Sequence, residues 1–224
     1  MRRLLLLCLL SLTWFGCAPA RPTKVIFFGD SVTDIGGRPG GFIPRLSDAL
    51  SRKLSVELLA AGEAGNKITD LNARLARDVL PQKPDVVVIY VGLNDVWHKI
   101  LPGLQGTPPE QFESIYESIL KQLEERKIRF VLCTPSLLGE CKANRQDTDL
   151  DLYAEIVRKI ASRHHSPLCD LRKELRAYDL SHNPHDMRQG VLTTDGVHLT
   201  KLGNQLVAEL LVAPVTQAVE YRSP

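Results

Sequence analysis

Lys24-Val25-Ile26-Phe27-Phe28-Gly29-Asp30-Ser31 joins an apolar run to an abrupt polar turn, and the reading of the whole chain starts at that junction. Residues 25–28 are four consecutive apolar side chains, branched or aromatic, bounded by polar ones. Such a run suits a strand buried on both faces. Gly29 permits a tight turn without steric cost. Asp30 and Ser31 are good helix N-cap types, and Val32-Thr33-Asp34 can continue into a first helical turn. A serine so placed sits at the C-terminal edge of a parallel sheet and at the positive end of a helix, where open α/β sheets bind their ligands. Taken alone, Gly-Asp-Ser is also an ordinary turn.

Outward from this point, apolar runs alternate with helical spacings. Phe42, Ile43, Leu46, Ala49 and Leu50 make a helix face, and residues 56–59 a second strand. Ile68, Leu71, Leu75, Val79 and Leu80 come next with helical spacing, Pro81 beyond them. Residues 86–91 (VVVIYV) are the strongest strand and belong in the centre of the sheet. Phe112, Ile115, Tyr116, Ile119, Leu120 and Leu123 define an amphipathic helix. A fourth strand is expected at 128–133, a helix around 150–160, a short fifth strand at 167–171, and a last helix from Leu202 up to Pro214. Segments 36–41, 102–109, 134–147 and 179–194 read as loops. Five alternations of strand and helix mean a parallel sheet covered on both faces.

The chain has 224 residues, enough for one domain with a sizeable core. Met1-Arg2-Arg3 is a basic start, and the apolar stretch 4–15 is too short to span a membrane. Residues 1–16 are therefore expected to be a signal peptide, with the functional domain at 22–224. Gly16-Cys17 is similar to the end of a bacterial lipobox, which implies cleavage before Cys17 and lipidation of that cysteine; Ala18-Pro19-Ala20 offers an alternative cleavage after Ala20. Either route exports the protein, to the periplasm or cell surface on a lipid anchor, or as a soluble secreted form. Without Arg2 and Arg3, 26 basic residues face 26 acidic ones. That balance, with no Lys/Arg cluster, argues against a nucleic-acid partner. Cys133, Cys141 and Cys169 remain after Cys8 and Cys17 are set aside; an odd number makes no complete disulfide framework. Cys133 and Cys169 end apolar runs and read as buried thiols, while Cys141 could pair with either.

The chemistry lies just after the strands. Ser31 comes after the first, Ala61-Gly62-Glu63-Ala64-Gly65-Asn66 after the second, and Gly92-Leu93-Asn94-Asp95 after the third; Asp195-Gly196-Val197-His198 precedes the last helix. A doubly wound sheet brings such strand ends to one edge. In this order the four blocks resemble the SGNH hydrolases, the GDSL esterase/lipase superfamily, over residues 29–203, with Gly203 completing the HxxxxG spacing after His198. The opening GDSVTD and residues 65–97 look most like the bacterial subgroup that includes carbohydrate acetylesterases. The resemblance implies an α/β fold, a three-layer αβα sandwich on a flavodoxin-like five-stranded parallel sheet. It implies Ser31, His198 and Asp195 as catalytic residues, and an oxyanion hole from the Ser31 and Gly65 N–H groups and the Asn94 amide. It implies no cofactor and no metal.

Those residue types suit the chemistry on their own terms. Ser31 needs a base, His198 can take and return a proton, and Asp195 can orient the imidazole. Asn94 is a donor that needs no deprotonation, and Gly65 lets backbone approach the substrate. Each also has a bland reading: Asn94-Asp95 as a turn, Asp195 to His198 as a helix cap, Gly65 as a turn glycine. Asp30 reads as turn support, and Trp97 as either pocket wall or packing. His98, His164, His165, His182 and His185 read as surface residues; the i, i+3 pair His182/His185 lacks a completing carboxylate or cysteine pattern for a metal. The expected activity is hydrolysis of a short-chain ester, acetyl for preference, on a small-molecule or carbohydrate substrate. The alternatives are a lysophospholipase or thioesterase, which would share every catalytic residue, and a non-catalytic carbohydrate-binding module. A flavodoxin-like phosphate or nucleotide binder is disfavoured, because it leaves Asp195 and His198 without a role.

The anchor has a direct check. If Cys17 is lipidated, Cys17→Ala moves the protein out of the membrane fraction. A mature N-terminus at Arg21 by mass spectrometry would rule the anchor out.

Overall fold

The computed structural model describes residues 21–221; the expected leader, both cleavage sites and Cys17 lie outside the described residues. The opening apolar run is strand β1 (Thr23–Gly29), succeeded along the chain by β2 (Val56–Gly62), β3 (Val86–Tyr90), β4 (Arg129–Cys133) and β5 (Leu168–Cys169). They form one parallel sheet in the order β2-β1-β3-β4-β5. All five residues of β3 are buried, which is why that strand reads as an unbroken Val/Ile run with no alternation. The fold is α/β, as expected.

The helices are α1 (Ser31–Gly36), α2 (Phe42–Leu50), α3 (Ile68–Asp78), α4 (Leu93–Trp97), α5 (Pro109–Glu124), α6 (Asp147–Arg163), α7 (Leu171–His182) and α8 (Lys201–Glu220). On one face α2 packs against α8, which also covers β3, β4 and β5. On the other, α3 packs against α5 and α5 against α6. Among the described residues no helix is long and apolar enough to cross a membrane.

Register aligns the strand ends. Gly62, Gly29, Tyr90, Cys133 and Cys169 are successive partners across the sheet and close their strands in one row. The connections that leave the strands therefore all start from the same edge. The order reverses between β1 and β3, so the segments carrying Ser31 and Asn94 flank the switch point.

Three boundaries differ from the sequence reading. Helix α7 replaces the loop expected from residue 179, and nothing in the apolar spacing points to it. Its inward positions are Leu171, Arg172, Leu175 and Asp179, so two charges interrupt the apolar stripe that would have revealed it. Arg172 is buried through ion pairs with Asp147 and Asp151, and Asp179 through Arg176. Helix α8 runs through Pro214 to Glu220; beyond the proline, Val215 and Ala218 are buried, and their packing outweighs the missing N–H. Strand β5 has only two residues, Leu168 and Cys169.

Candidate active site

Gly29 is the last residue of β1. It is glycine because of crowding: a Cβ there would sit 2.2 Å from Thr33 Oγ1 and 2.3 Å from the Tyr90 carbonyl oxygen of β3. The chain turns at Asp30, whose side chain caps α1 by accepting the Val32 N–H at 2.9 Å. Ser31 is the first residue of that helix. Asn94 stands in the first turn of α4, at the end of β3. Its Nδ2 donates to the Asn66 carbonyl at 3.0 Å and lies 3.5 Å from Asp30 Oδ2. Gly65 has φ +77°, and a Cβ there would meet nothing within 4 Å. Conformation, with open space in front of it, is what makes position 65 a glycine.

A buried arginine holds this side together. Arg74 of α3 donates from Nη2 to the carbonyls of Gly29 (2.5 Å) and Ala61 (3.0 Å), from Nε to Asn66 Oδ1 (2.5 Å) and from Nη1 to Asp78 (2.9 Å). Its guanidinium lies 4.5 Å over the Phe28 ring. One side chain thus ties the ends of β1 and β2 to the loop bearing Gly65. Arg74 stands beside Leu75 on the apolar stripe of α3, and a charge on that stripe is the readable signal of its burial. Asp95 accepts the Ile68 N–H at 3.1 Å and pins the start of α3 to α4.

The third component arrives from 167 residues away. His198 Nε2 is 2.9 Å from Ser31 Oγ, and His198 Nδ1 is 2.6 Å from Asp195 Oδ2. A carboxylate at Nδ1 requires the proton on that nitrogen, leaving Nε2 to accept from the serine. Asp195 Oδ1 accepts the N–H groups of Val197 (3.0 Å) and His198 (2.8 Å). Burial pushes the Asp195 carboxyl up, but the hydrogen bonds from the His198 side chain and these two N–H groups outweigh it, so it titrates below the usual range. Ser31, His198 and Asp195 therefore form one hydrogen-bonded line.

Glu140 suspends the loop that carries Asp195 and His198. It is fully buried. One carboxylate oxygen accepts the Leu192 N–H at 2.9 Å together with the N–H and hydroxyl of Thr193; the other accepts the Val191 N–H at 2.9 Å. Thr193 pairs with Leu199 across the loop, and Thr194 donates to the His198 carbonyl at 2.7 Å. The polar composition of 134–147 reads as a loop on the surface; Glu140 is instead internal scaffolding. No periodicity marks it, because its partners are backbone groups roughly fifty residues on.

A cavity of about 590 Å³ opens beside Asp195, Gly196 and Val197. Trp97, Ile100 and Leu138 form its apolar wall, and residues of 139–146 and 188–189 its polar one. Leu93 and Val96 are buried in the core and take no part in it. Cys133, Cys141 and Cys169 are free thiols. His164 bridges Glu117 and Glu124. Among the described residues no group of three His, Cys, Asp or Glu side chains is arranged to hold a metal ion.

The sequence profile of the GDSL-like lipase/acylhydrolase family matches residues 27–206. The chain belongs to that family. It is an ester-bond hydrolase. It is 27% identical to an acetylxylan esterase of Geobacillus stearothermophilus, over 86% of this chain and 93% of that one. It is 28% identical to the human isoamyl acetate-hydrolyzing esterase 1 homolog, over 82% and 77%. Among solved structures, the acetyl xylan esterase AlAXEase superposes with a TM-score of 0.82 at 45% identity, covering 86% of this chain and 99% of that one.

The buried carboxylates of this GDSL-family hydrolase can each be tested. Glu140→Gln keeps the oxygen that serves Leu192 and Thr193 but sets an amide against the Val191 N–H. Leaving a buried donor unpaired costs about 1–3 kcal/mol, and Glu140→Ala, which orphans three N–H groups, costs more. The loss should appear in urea melts and, because the displaced loop carries His198, in kcat more than in KM for 4-nitrophenyl acetate. Unchanged kinetics in a folded Glu140→Gln protein would show that the loop holds without it.

Burial, with a smaller push from nearby Asp95, raises the Asp30 carboxyl to about 7 against the opposing Val32 N–H. Asp95 is raised to about 6, again chiefly by burial. Below its folded pKa and above its unfolded value of about 3.9, each binds more protons folded than unfolded, so stability falls as pH rises through that window. Asp30→Asn keeps an acceptor for Val32 and cannot ionise, so denaturation curves from about pH 4 to about pH 7 should show a shallower decline than wild type.

Proposed function

We propose that this chain is an exported serine esterase that removes a short acyl group, acetyl, from a carbohydrate ester. Ser31 is the nucleophile, His198 the general base and then acid, and Asp195 the group that orients the imidazole. The Ser31 N–H, the Gly65 N–H and the Asn94 side-chain amide receive the oxyanion. The observation that carries this reading is the 2.9 Å contact between His198 Nε2 and Ser31 Oγ, with Asp195 closing the line at 2.6 Å. Two further observations support it. Relatives bear the names acetylxylan esterase and isoamyl acetate-hydrolyzing esterase. The Geobacillus stearothermophilus acetylxylan esterase, 26% and 25% identical to this chain in the two structures, has been solved as catalytic mutants in which a histidine and an aspartate are replaced. Export rests on the leader read at residues 1–16, and a periplasmic or cell-surface location on Cys17.

In the first half-reaction Ser31 Oγ attacks the ester carbonyl as its proton passes to His198 Nε2. Charge builds on the carbonyl oxygen, where donors already in place act without reorganisation. Only one Asn94 N–H is closely held, by the Asn66 carbonyl; the other has Asp30 Oδ2 at 3.5 Å. The imidazolium, stabilised by Asp195, then gives its proton to the departing alcohol. A water repeats the sequence on the acyl-serine and releases the acid.

The short acyl preference rests on where the apolar side chains went. A groove for a long chain would gain roughly 0.8 kcal/mol per buried methylene, about fourfold in binding. Leu93 and Val96, the best candidates to line one, are consumed by the core. Leu104 remains exposed at 49%, and Ile100, with Trp97 and Leu138, walls only one side of a cavity whose other side is polar. kcat/KM is therefore expected to fall from acetyl to octanoyl esters; a rise along that series would make the enzyme a lipase. Ser31→Ala should abolish hydrolysis with the fold intact, and a fluorophosphonate probe should label Ser31. Labelling of another serine, or full activity in the variant, would overturn the assignment of Ser31 as nucleophile, whereas a wild-type protein that hydrolyses no ester would return the chain to the binding-module alternative.

A further inference from the structure

The cavity beside Asp195 holds charges that the cleavage of the ester does not use. Arg145 and Arg188 both line it. Other cations around this end of the molecule are committed, Arg172 to Asp147 and Asp151, Arg176 to Asp147 and Asp179, Lys99 to Asp149, and Lys142, unpaired among the described residues, does not line the cavity. Arg145 and Arg188 form no ion pair and no side-chain hydrogen bond with any described residue. The neighbouring carboxylates are spoken for as well. Glu140 serves the 191–193 backbone, Asp195 serves His198, and Asp186 accepts the Lys142 N–H at 2.6 Å.

Both arginines rise from backbone that is held. The Arg188 carbonyl accepts the Glu140 N–H at 2.9 Å. Next to Arg145, Asn144 accepts the Gln146 N–H at 3.0 Å and donates through its amide to the Leu138 carbonyl. Two arginines without an ion-pair partner among the described residues, in the wall of a cavity of about 590 Å³ that Trp97 also lines, suit a flat or ring-shaped ligand bearing negative charge.

The position says which part of the substrate enters. His198 must reach the leaving oxygen to protonate it, so the alcohol departs on the histidine side of Ser31. The wall of the cavity includes Asp195, Gly196 and Val197, which belong to the loop that carries His198. We propose that this cavity binds the alcohol portion of the substrate and selects an acidic sugar, an acetylated oligosaccharide that carries a uronic-acid carboxylate. The inference rests on the esterase reading and narrows its substrate class. Arg145 and Arg188 supply the specificity; neither touches the reacting atoms. A carboxylate also matches the two-pronged donor geometry of a guanidinium better than a hydroxyl does.

The test compares an acetylated xylo-oligosaccharide bearing one uronic acid with the same compound as its uronamide. Wild type should favour the acid about fivefold in kcat/KM, the upper range of a solvent-accessible ion pair, chiefly through KM. The preference should vanish in about 1 M sodium chloride, where charges are screened beyond about 3 Å. Arg145→Gln and Arg188→Gln should each reduce it and the double variant abolish it, while hydrolysis of 4-nitrophenyl acetate, which is small and neutral, stays at the wild-type rate and certifies the fold. Equal turnover of acid and amide by wild type, hydrolysis of neither, or a preference that survives in the double variant would overturn the proposal. Wild type that fails on 4-nitrophenyl acetate would instead defeat the esterase reading itself, so the two failures are distinguishable.

Discussion

A hydrogen bond of 2.9 Å between residues 31 and 198 is the demand to which the rest of the molecule answers. Its two ends come from opposite ends of the chain. Ser31 is fixed by the first strand and the helix it begins; His198 hangs in a loop just before the last helix. Neither local propensity nor any short turn can bring them together. The parallel sheet does the coarse work by aligning its strand ends in one row. The remaining few ångströms are set by side chains that touch no substrate.

Those side chains are buried charges, which makes their energetics unusual. Arg74 and Glu140 are withdrawn from water, at a cost of several kcal/mol per ion unless partners compensate. Backbone supplies much of that compensation: Glu140 accepts three consecutive N–H groups, and Arg74 donates to the Gly29 and Ala61 carbonyls beside its ion pair with Asp78 and its bond to Asn66. Backbone partners have a consequence that side-chain partners lack. They fix the path of the chain itself, and with it the loop that bears Gly65 and the loop that bears His198. An apolar residue of equal size would pack at either position but would leave the loops free to choose another path.

This division explains what could be read in the sequence. The sheet was legible because strands buried on both faces have no alternation, and Val86 to Tyr90 is nearly pure Val/Ile. Ser31, Asp195 and His198 were singled out by the resemblance of their ordered sequence blocks to the SGNH hydrolases, and the structure sets them in one hydrogen-bonded line. Helix α7 was not, since Arg172 and Asp179 occupy its inward face and break the apolar period. Glu140 was not, because a carboxylate that serves distant backbone leaves no local pattern. Arg74 stood between: a cation on an apolar stripe announces a buried partner without naming it. Both failures have one cause, that polar burial is decided by tertiary partners which spacing does not encode.

The same logic separates the two sides of Ser31. On the side of Gly65 and Asn94, the two residues proposed to receive the oxyanion, Arg74 clamps the ends of β1 and β2 and Asp95 the start of α3, so the backbone there is closely held. On the histidine side the walls are long connections, 134–146 and 183–200, attached to the core through Glu140. Because those connections carry Arg145 and Arg188 at the rim while Glu140 keeps their roots in place, side chains at the rim can change without moving His198. On the reading proposed for the cavity, selection of the alcohol is thereby separated from the chemistry that cleaves it. A fold that anchors its variable loops through a buried carboxylate can alter what it binds while its catalytic hydrogen bonds keep their lengths.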